Sequence, residues 1–240
     1  MGIITILKSW FGFLVDKGNH VKGCKDGKDA KDGKDAKGGK DAKDCKDGKS
    51  SKLIISNEDP RLSTTHIGAG CLFTDGKLVL AGYQPFKEVP CISGLGGTKK
   101  EGETVFQTAM RETIEELFEI NDISVVFLEY IKRQLPGKYI RNNNYIFIVY
   151  NFKQLERLLM ILKNQGKKSY LYTYFPTTLN ELLFKREIIH KTDSSHILPE
   201  ISHLCLLPVV NHLHTTPLVD NYFIRDLQLV NDKDVNMISL

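Results

Sequence analysis

The sequence contains no Cys-x-x-Cys pair, and its cysteines are odd in number, at positions 24, 45, 71, 91 and 205. These wide spacings argue against a disulfide framework or a structural zinc site. A reducing, cytoplasmic compartment is the simplest setting for them. Also missing is any run near the roughly 20 apolar residues of a transmembrane helix. A charge excess is missing from most of the chain as well. Residues 22–52 hold 11 Lys and 7 Asp, and the remainder carries 22 basic and 22 acidic residues. The net +4 therefore belongs to one segment, and global charge offers no case for nucleic-acid binding by the rest. At 240 residues the chain is long enough for one domain with a substantial core and extra segments.

Three regions follow from composition. Residues 1–17 place Ile3, Ile4, Leu7, Trp10, Phe11, Leu14 and Val15 on one broad arc of a helical wheel. That pattern suits a helix lying on a membrane surface, docking on a partner, or packing on its own domain. No charge precedes the apolar stretch and no small-residue cleavage site follows, so it reads poorly as a signal peptide. Residues 18–55 form a low-complexity linker around a strict three-residue repeat, with Lys at every third position from 22 to 52. Cys24, Ala30, Ala36, Ala42 and Cys45 stand where a collagen triplet needs glycine, which argues against a triple helix. With no aliphatic residue larger than Ala, the repeat cannot build a core and is expected to be disordered. Residues 56–240 form the folded domain.

Within that domain, residues 65–74 and 77–84 read as a hairpin about Asp75-Gly76. Residues 124–135 and 139–152 read as two further strands about Pro136-Gly137. Helices are expected at 153–165, 178–189 and 218–230, and a short buried strand at 203–210. Strands before and after helices predict an α+β sandwich with a mixed sheet rather than a regular βαβ array.

The stretch GLGGTKKEGETVFQTAMRETIEELFEI, residues 94–120, carries the chemistry. Thr104 and Gln107 have the spacing of a capping box, which starts a helix near Val105. Phe106, Met110, Ile114 and Leu117 share one face and are expected to pack on the sheet. Glu112, Glu115, Glu116 and Glu119 share the other, with like charges at i,i+4 and negative charge extending to the C-terminal end. Such a face is either a solvated acidic surface or a site for a hard divalent cation with oxygen ligands, Mg²⁺ or Mn²⁺. The glycine-rich loop ahead of it would let backbone approach a ligand closely.

Gly97, Glu103, Arg111, Glu112, Glu115 and Glu116 stand at the spacing G-x5-E-x7-R-E-U-x-E-E-x-G-U. On these residues the chain resembles the Nudix hydrolases. The resemblance implies an α/β/α sandwich and hydrolysis of a diphosphate bond in a nucleoside diphosphate linked to another moiety. It implies that Glu112, Glu115 and Glu116 hold the metal, with the Gly96 carbonyl as a further ligand, and that Glu103 pairs with Arg111 to orient the helix. The chain departs from the pattern at three places. Thr113 holds an aliphatic position, Phe118 stands where the terminating glycine belongs, and Glu119 holds the last aliphatic position. An extension to Ile120 with Asn121 as left-handed cap would repair the helix end, leaving Glu119 without a role.

Substrate identity is less sharply drawn. Pro136 lies 16 residues beyond Ile120, a placement similar to the ADP-ribose branch of the family, and a Pro-Gly turn between strands also accounts for it. Lys132, Arg133, Lys138 and Arg141 would form a basic hairpin, either solvated or facing a substrate phosphate or an RNA body. Glu181, Glu187, His190 and Glu200 are candidate general bases outside the motif. The alternatives are an mRNA-decapping enzyme and a non-catalytic Nudix-fold binding protein tethered through its N-terminus. The oligomeric state is open.

Overall fold

A computed structural model of the chain describes residues 55–56, 66–187, 198–209 and 217–231. The expectations for the amphipathic segment 1–17 and the repeat at 22–52 lie outside the described residues.

The fold is mixed α/β. In chain order the elements are β1 (Ile55–Ser56), β2 (Gly68–Phe73), β3 (Leu78–Gln84), β4 (Cys91–Ser93), β5 (Leu95–Thr98), α1 (Val105–Phe118), α2 (Val125–Gln134), β6 (Lys138–Asn142), β7 (Tyr145–Tyr150), α3 (Phe152–Asn164), α4 (Leu179–Phe184), β8 (His203–Pro208) and α5 (Asn221–Asn231). Five strands form a mixed sheet in the order β1-β6-β7-β2-β5, and three form a second sheet, β4-β3-β8. Among the described strands the central β2–β7 pair is parallel and the other ladders are antiparallel.

Alternation along the strands divides the core in two. Ile146, Ile148 and Tyr150 of β7, with Ala69, Cys71 and Phe73 of β2, pack under helices α1 to α4. Phe147 and Val149 of β7, with Leu72 of β2, face the second sheet and α5 instead. A period of two on a sheet covered on both faces produces this division. It is the sandwich expected from the sequence.

Several local expectations need correction. Asp75-Gly76 does turn the chain, with Asp75 Oδ1 accepting the Lys77 and Leu78 amides at 2.9 and 2.7 Å. The strands it joins nonetheless enter different sheets, with an isolated bridge between Thr74 and Val79 and a hydrogen bond from the Thr74 hydroxyl to the Leu78 carbonyl at 2.6 Å. The glycine loop is strand β5, with Gly96 opposite Gly70 and Gly97 opposite Ala69. Added side chains at Gly70 would meet the Leu95 carbonyl, so the glycines are what allow this close pairing.

Residues 124–135, expected as a strand, are helix α2. Ser124 caps it by accepting the Phe127 amide at 3.3 Å. Leu128, Ile131 and Leu135 are buried at helical spacing, while Val125 and Val126 are exposed. The β-branched pair misleads because it sits in the first turn, outside the core. Pro136-Gly137 therefore joins a helix to a strand rather than two strands. The single strand expected at 139–152 is the hairpin β6–β7, turned by Asn143 at φ 54°. Helix α3 buries Leu155, Leu158, Leu159 and Leu162 as its pattern predicts. Helix α4 is shorter than expected, ending at Phe184. Strand β8 lies at a sheet edge, where Pro208 is tolerated.

Candidate functional site

Helix α1 begins as its sequence predicts. Thr104 accepts the Gln107 amide at 3.3 Å, and the Gln107 side chain accepts the Thr104 amide at 2.9 Å. The apolar face of Phe106, Met110, Ile114 and Leu117 is fully buried. The opposite face is not a solvated acidic surface. Of the helix's residues only Glu112 and Glu115 are partly exposed; Glu116 is 4% and Arg111 6% exposed.

Arg111 organises the outer carboxylates. Its Nε and Nη2 donate to the two oxygens of Glu103 at 2.5 and 2.9 Å. Its Nη1 donates to Glu112 Oε1 at 2.8 Å and Glu115 Oε2 at 2.9 Å. Nη2 also reaches the Thr98 carbonyl at 3.1 Å, which ties the end of β5 to the helix. Glu103 further accepts the Lys100 amide and the Thr108 hydroxyl, each at 2.9 Å. Burial opposes its charge, yet the Arg111 bonds outweigh this and hold the carboxyl at about 2. The pairing of Glu103 with Arg111 follows the expectation.

Glu116 stands apart from this network. Its Oε2 accepts the Gly96 amide at 2.7 Å, and the Gln84 amide group lies 3.5 Å from its Oε1. Gln84 also donates to Glu200 Oε1 at 2.9 Å, so one side chain bridges two carboxylates. Burial, then repulsion from Glu200, push the Glu116 carboxyl well above its ordinary value; the Gly96 amide opposes them and Glu112 adds to them. Burial also raises Glu112, despite its bond from Arg111.

Gly96 holds φ +147°, and a side chain there would strike the Tyr145 hydroxyl, Gly70 and the Ala69 carbonyl. A Cβ on Gly97 would lie 2.6 Å from the Glu112 carboxyl carbon. Gly97 therefore admits the Glu112 carboxylate to the strand backbone, while Gly96 is needed for its own backbone conformation and its close packing on β2 and Tyr145.

The departures at the helix end have structural answers. The helix stops at Phe118, and Glu119, not Asn121, takes the left-handed cap at φ 52°, ψ 38°. Phe118 is fully buried, stacked on Phe175 with centroids 4.8 Å apart. Glu119 has a role: its Oε1 accepts the Glu200 amide at 3.2 Å, which positions Glu200 near Glu116. Arg186 reaches in from beyond α4, donating to the Leu117 carbonyl at 2.5 Å, Glu116 at 3.2 Å and Ile201 at 2.7 Å. It supplies the cation that the helix dipole lacks within α1 itself.

Of the four candidate bases, Glu200 alone is brought to the cluster among the described residues. Glu187 accepts from Thr173 and Glu181 pairs with Lys185, while His190 lies outside the described residues. Lys132 and Arg133 occupy the last turn of α2. The Lys132 ammonium lies 5.7 Å over the Phe106 ring, and Arg133 Nε donates to the Glu129 carbonyl at 3.3 Å. The residues missed by sequence are Gln84 and Arg186. Gln84 could have been noticed as a polar residue ending a strand of buried positions; Arg186 carries no local signal.

Among the described residues no group of three or more His, Cys, Asp or Glu side chains is gathered as a metal cage. Glu112 and Glu115 turn toward Arg111 while Glu116 turns toward Gly96. The donor set nonetheless suits a hard cation. It offers buried carboxylate oxygens in mutual repulsion, and Gln84 Oε1 is buried without a partner among the described residues.

No protein-family model matches the chain, and no curated protein does. Among solved structures, one similarity is to a bifunctional NMN adenylyltransferase/ADP ribose pyrophosphatase from Francisella tularensis, complexed with AMP and Mn ion. Identity is 12% and the TM-score 0.35, over 69% of this chain and 41% of that one. This chain thus spans about two fifths of the length of that protein. A second is to a NUDIX-family hydrolase from Clostridium perfringens, with 12% identity and a TM-score of 0.31, over 70% of this chain and 96% of that one.

Proposed function

We propose that this chain hydrolyses a diphosphate bond in a nucleoside diphosphate linked to another moiety, with Mg²⁺ or Mn²⁺ as cofactor. The observation that carries this reading is the burial of the Glu116 carboxyl against the Gly96 amide, with Glu200 and Glu112 close enough to oppose its charge. Glu112 and Glu116 stand on a helix fixed by the Glu103–Arg111 pair, and Gln84 bridges Glu116 to Glu200. A protein has little reason to bury such a group unless a cation completes it.

Glu116, Glu112, Glu115 and the Gly96 carbonyl would hold the metal. Bound there, a divalent ion would polarise the phosphoryl oxygens and stabilise the departing phosphate. The chain's own contribution is positional. Arg111 restrains Glu112 and Glu115, and the Gly96 amide restrains Glu116. Glu200, steadied by Gln84 and by Glu119, is the carboxylate best placed to accept a proton from an attacking water.

The test is a panel of dinucleotides, ADP-ribose-type substrates and capped RNA, assayed for phosphate-bond cleavage with Mg²⁺, with Mn²⁺ and with chelator. Cleavage that needs the metal and is lost in Glu116→Gln supports the reading. Cleavage unchanged in that variant would overturn it.

A further inference from the structure

Gly96 faces two ways. Its amide holds Glu116, and its backbone also lines one end of a cavity of about 430 Å³ between the β6–β7 hairpin and the start of α5. That size lies within the ~300–1,000 Å³ typical of ligand clefts.

The walls of the cavity are selective. Tyr145 and Phe147 of β7 form one side, with ring centroids 4.8 Å apart. Tyr222 and Phe223 of α5 contribute two more rings. Phe223 is buried, pressed against Gly94, whereas Tyr222 is 74% exposed at the mouth, with the Arg225 guanidinium 5.7 Å from its ring. Among the described residues no Lys or Arg lines the space. A phosphate would find no counter-charge there. A purely apolar occupant would desolvate the Asp220 and Asp226 carboxyls that also line the cavity.

Those polar groups are differently engaged. Asp220 Oδ1 caps α5, accepting the Tyr222 and Phe223 amides at 2.8 and 3.0 Å. Asp226 Oδ1 accepts the Asn142 side-chain amide at 2.7 Å. Asp226 also lines the cavity. Burial pushes the Asp226 carboxyl up to about 6, with the Asn142 bond opposing and Asp220 adding to the rise.

The geometry points to a nucleobase subsite, in which a base bearing an exocyclic amino group donates to Asp226 and its ring is flanked by Tyr145 and Tyr222. Aromatic flanks suit a flat heterocycle of any kind, since every base has a π-face. The carboxylate adds a preference. An exocyclic amino group, as on adenine, cytosine or guanine, donates to an Asp or Glu side chain. Uracil offers one ring N–H between two carbonyls, and a carbonyl oxygen would face the carboxylate. With the base seated here, the rest of a nucleotide leaves past Gly96 toward Glu116. This names the substrate end of the site and so rests on the hydrolase reading above.

The test uses the full chain and nucleosides alone, which need no cation at the carboxylates. Adenosine, cytidine and uridine are titrated calorimetrically in chelator. Adenosine and cytidine should bind about tenfold tighter than uridine, the scale of one base contact. Asp226→Asn keeps an acceptor for Asn142, and thermal melting checks its fold; it should bring the three nucleosides within about twofold. Tyr222→Ala, at an exposed position, should weaken all three about tenfold. Uridine binding as tightly as adenosine, an unchanged Tyr222→Ala, or no nucleoside binding would overturn the subsite. Hydrolysis is measured on the same preparations. If Glu116→Gln cleaves like the wild type while nucleosides bind as expected, the hydrolase reading falls and the subsite stands. If cleavage depends on Glu116 but no base preference exists, the subsite alone falls.

Discussion

The guanidinium of Arg186 donates to the backbone carbonyl of Glu116, 70 residues earlier in the chain, at 3.2 Å. The same group also binds the Leu117 and Ile201 carbonyls. One side chain therefore closes the end of α1 and anchors the segment that delivers Glu200. Replacing Arg186 with Met leaves three carbonyls without this donor. The expected loss is about 3 kcal/mol of unfolding free energy, measured by denaturant titration. Lys at the same position should recover part of it, because a single ammonium cannot span all three carbonyls.

Phe118 and Glu119 make a paired prediction. Restoring the motif glycine by Phe118→Gly would empty a fully buried site stacked on Phe175, at a cost of about 4 kcal/mol. Glu119→Gly places glycine at the residue that actually holds the left-handed cap, and stability should change by less than about 1 kcal/mol. Thermal melts of the two variants decide the matter. Equal losses would mean that the cap does not sit at Glu119.

Glu103 sets an acid limit. Its carboxyl lies at about 2 against an ordinary 4.5, so its contribution is complete above about pH 5 and is lost as pH falls through 2. With the side chain 15% exposed, that contribution is about 2 kcal/mol at neutral pH. Glu103→Gln should lower the melting temperature at pH 7. The gap to wild type should close as the buffer approaches pH 2 to 3.

Glu116→Gln should separate stability from activity. The amide retains an oxygen for the Gly96 N–H while removing an ionisable group buried beside two other carboxylates. In chelator the variant is expected to be about 1 kcal/mol more stable than wild type. Its metal-dependent cleavage should fall at least about a hundredfold. A variant that is both less stable and fully active would contradict this account of the site.

Much of the site was legible in the linear order of residues. The capping box, the buried face of α1, the Glu103–Arg111 pair and the glycines beneath the carboxylates all follow from spacing within one stretch of chain. Local rules govern them, because a helix places residues three and four apart side by side and a capping box closes over four residues. The strand expected at 124–135 failed for the same local reason. Val125 and Val126 suggest a strand, yet Ser124 caps a helix whose buried residues are Leu128, Ile131 and Leu135.

What the sequence alone determined is therefore which carboxylates share one helix face and where that helix begins. Tertiary structure decided which distant groups meet them. Gln84 arrives from the end of β3, Arg186 from beyond α4, Glu200 from the approach to β8, and Tyr145 from β7. No periodicity links these positions, because their convergence depends on the pairing of β2 with β5 and β7 and on the packing of two sheets, not on chain spacing. The same packing turned an apparently solvated acidic face into one where Glu116 is 4% exposed.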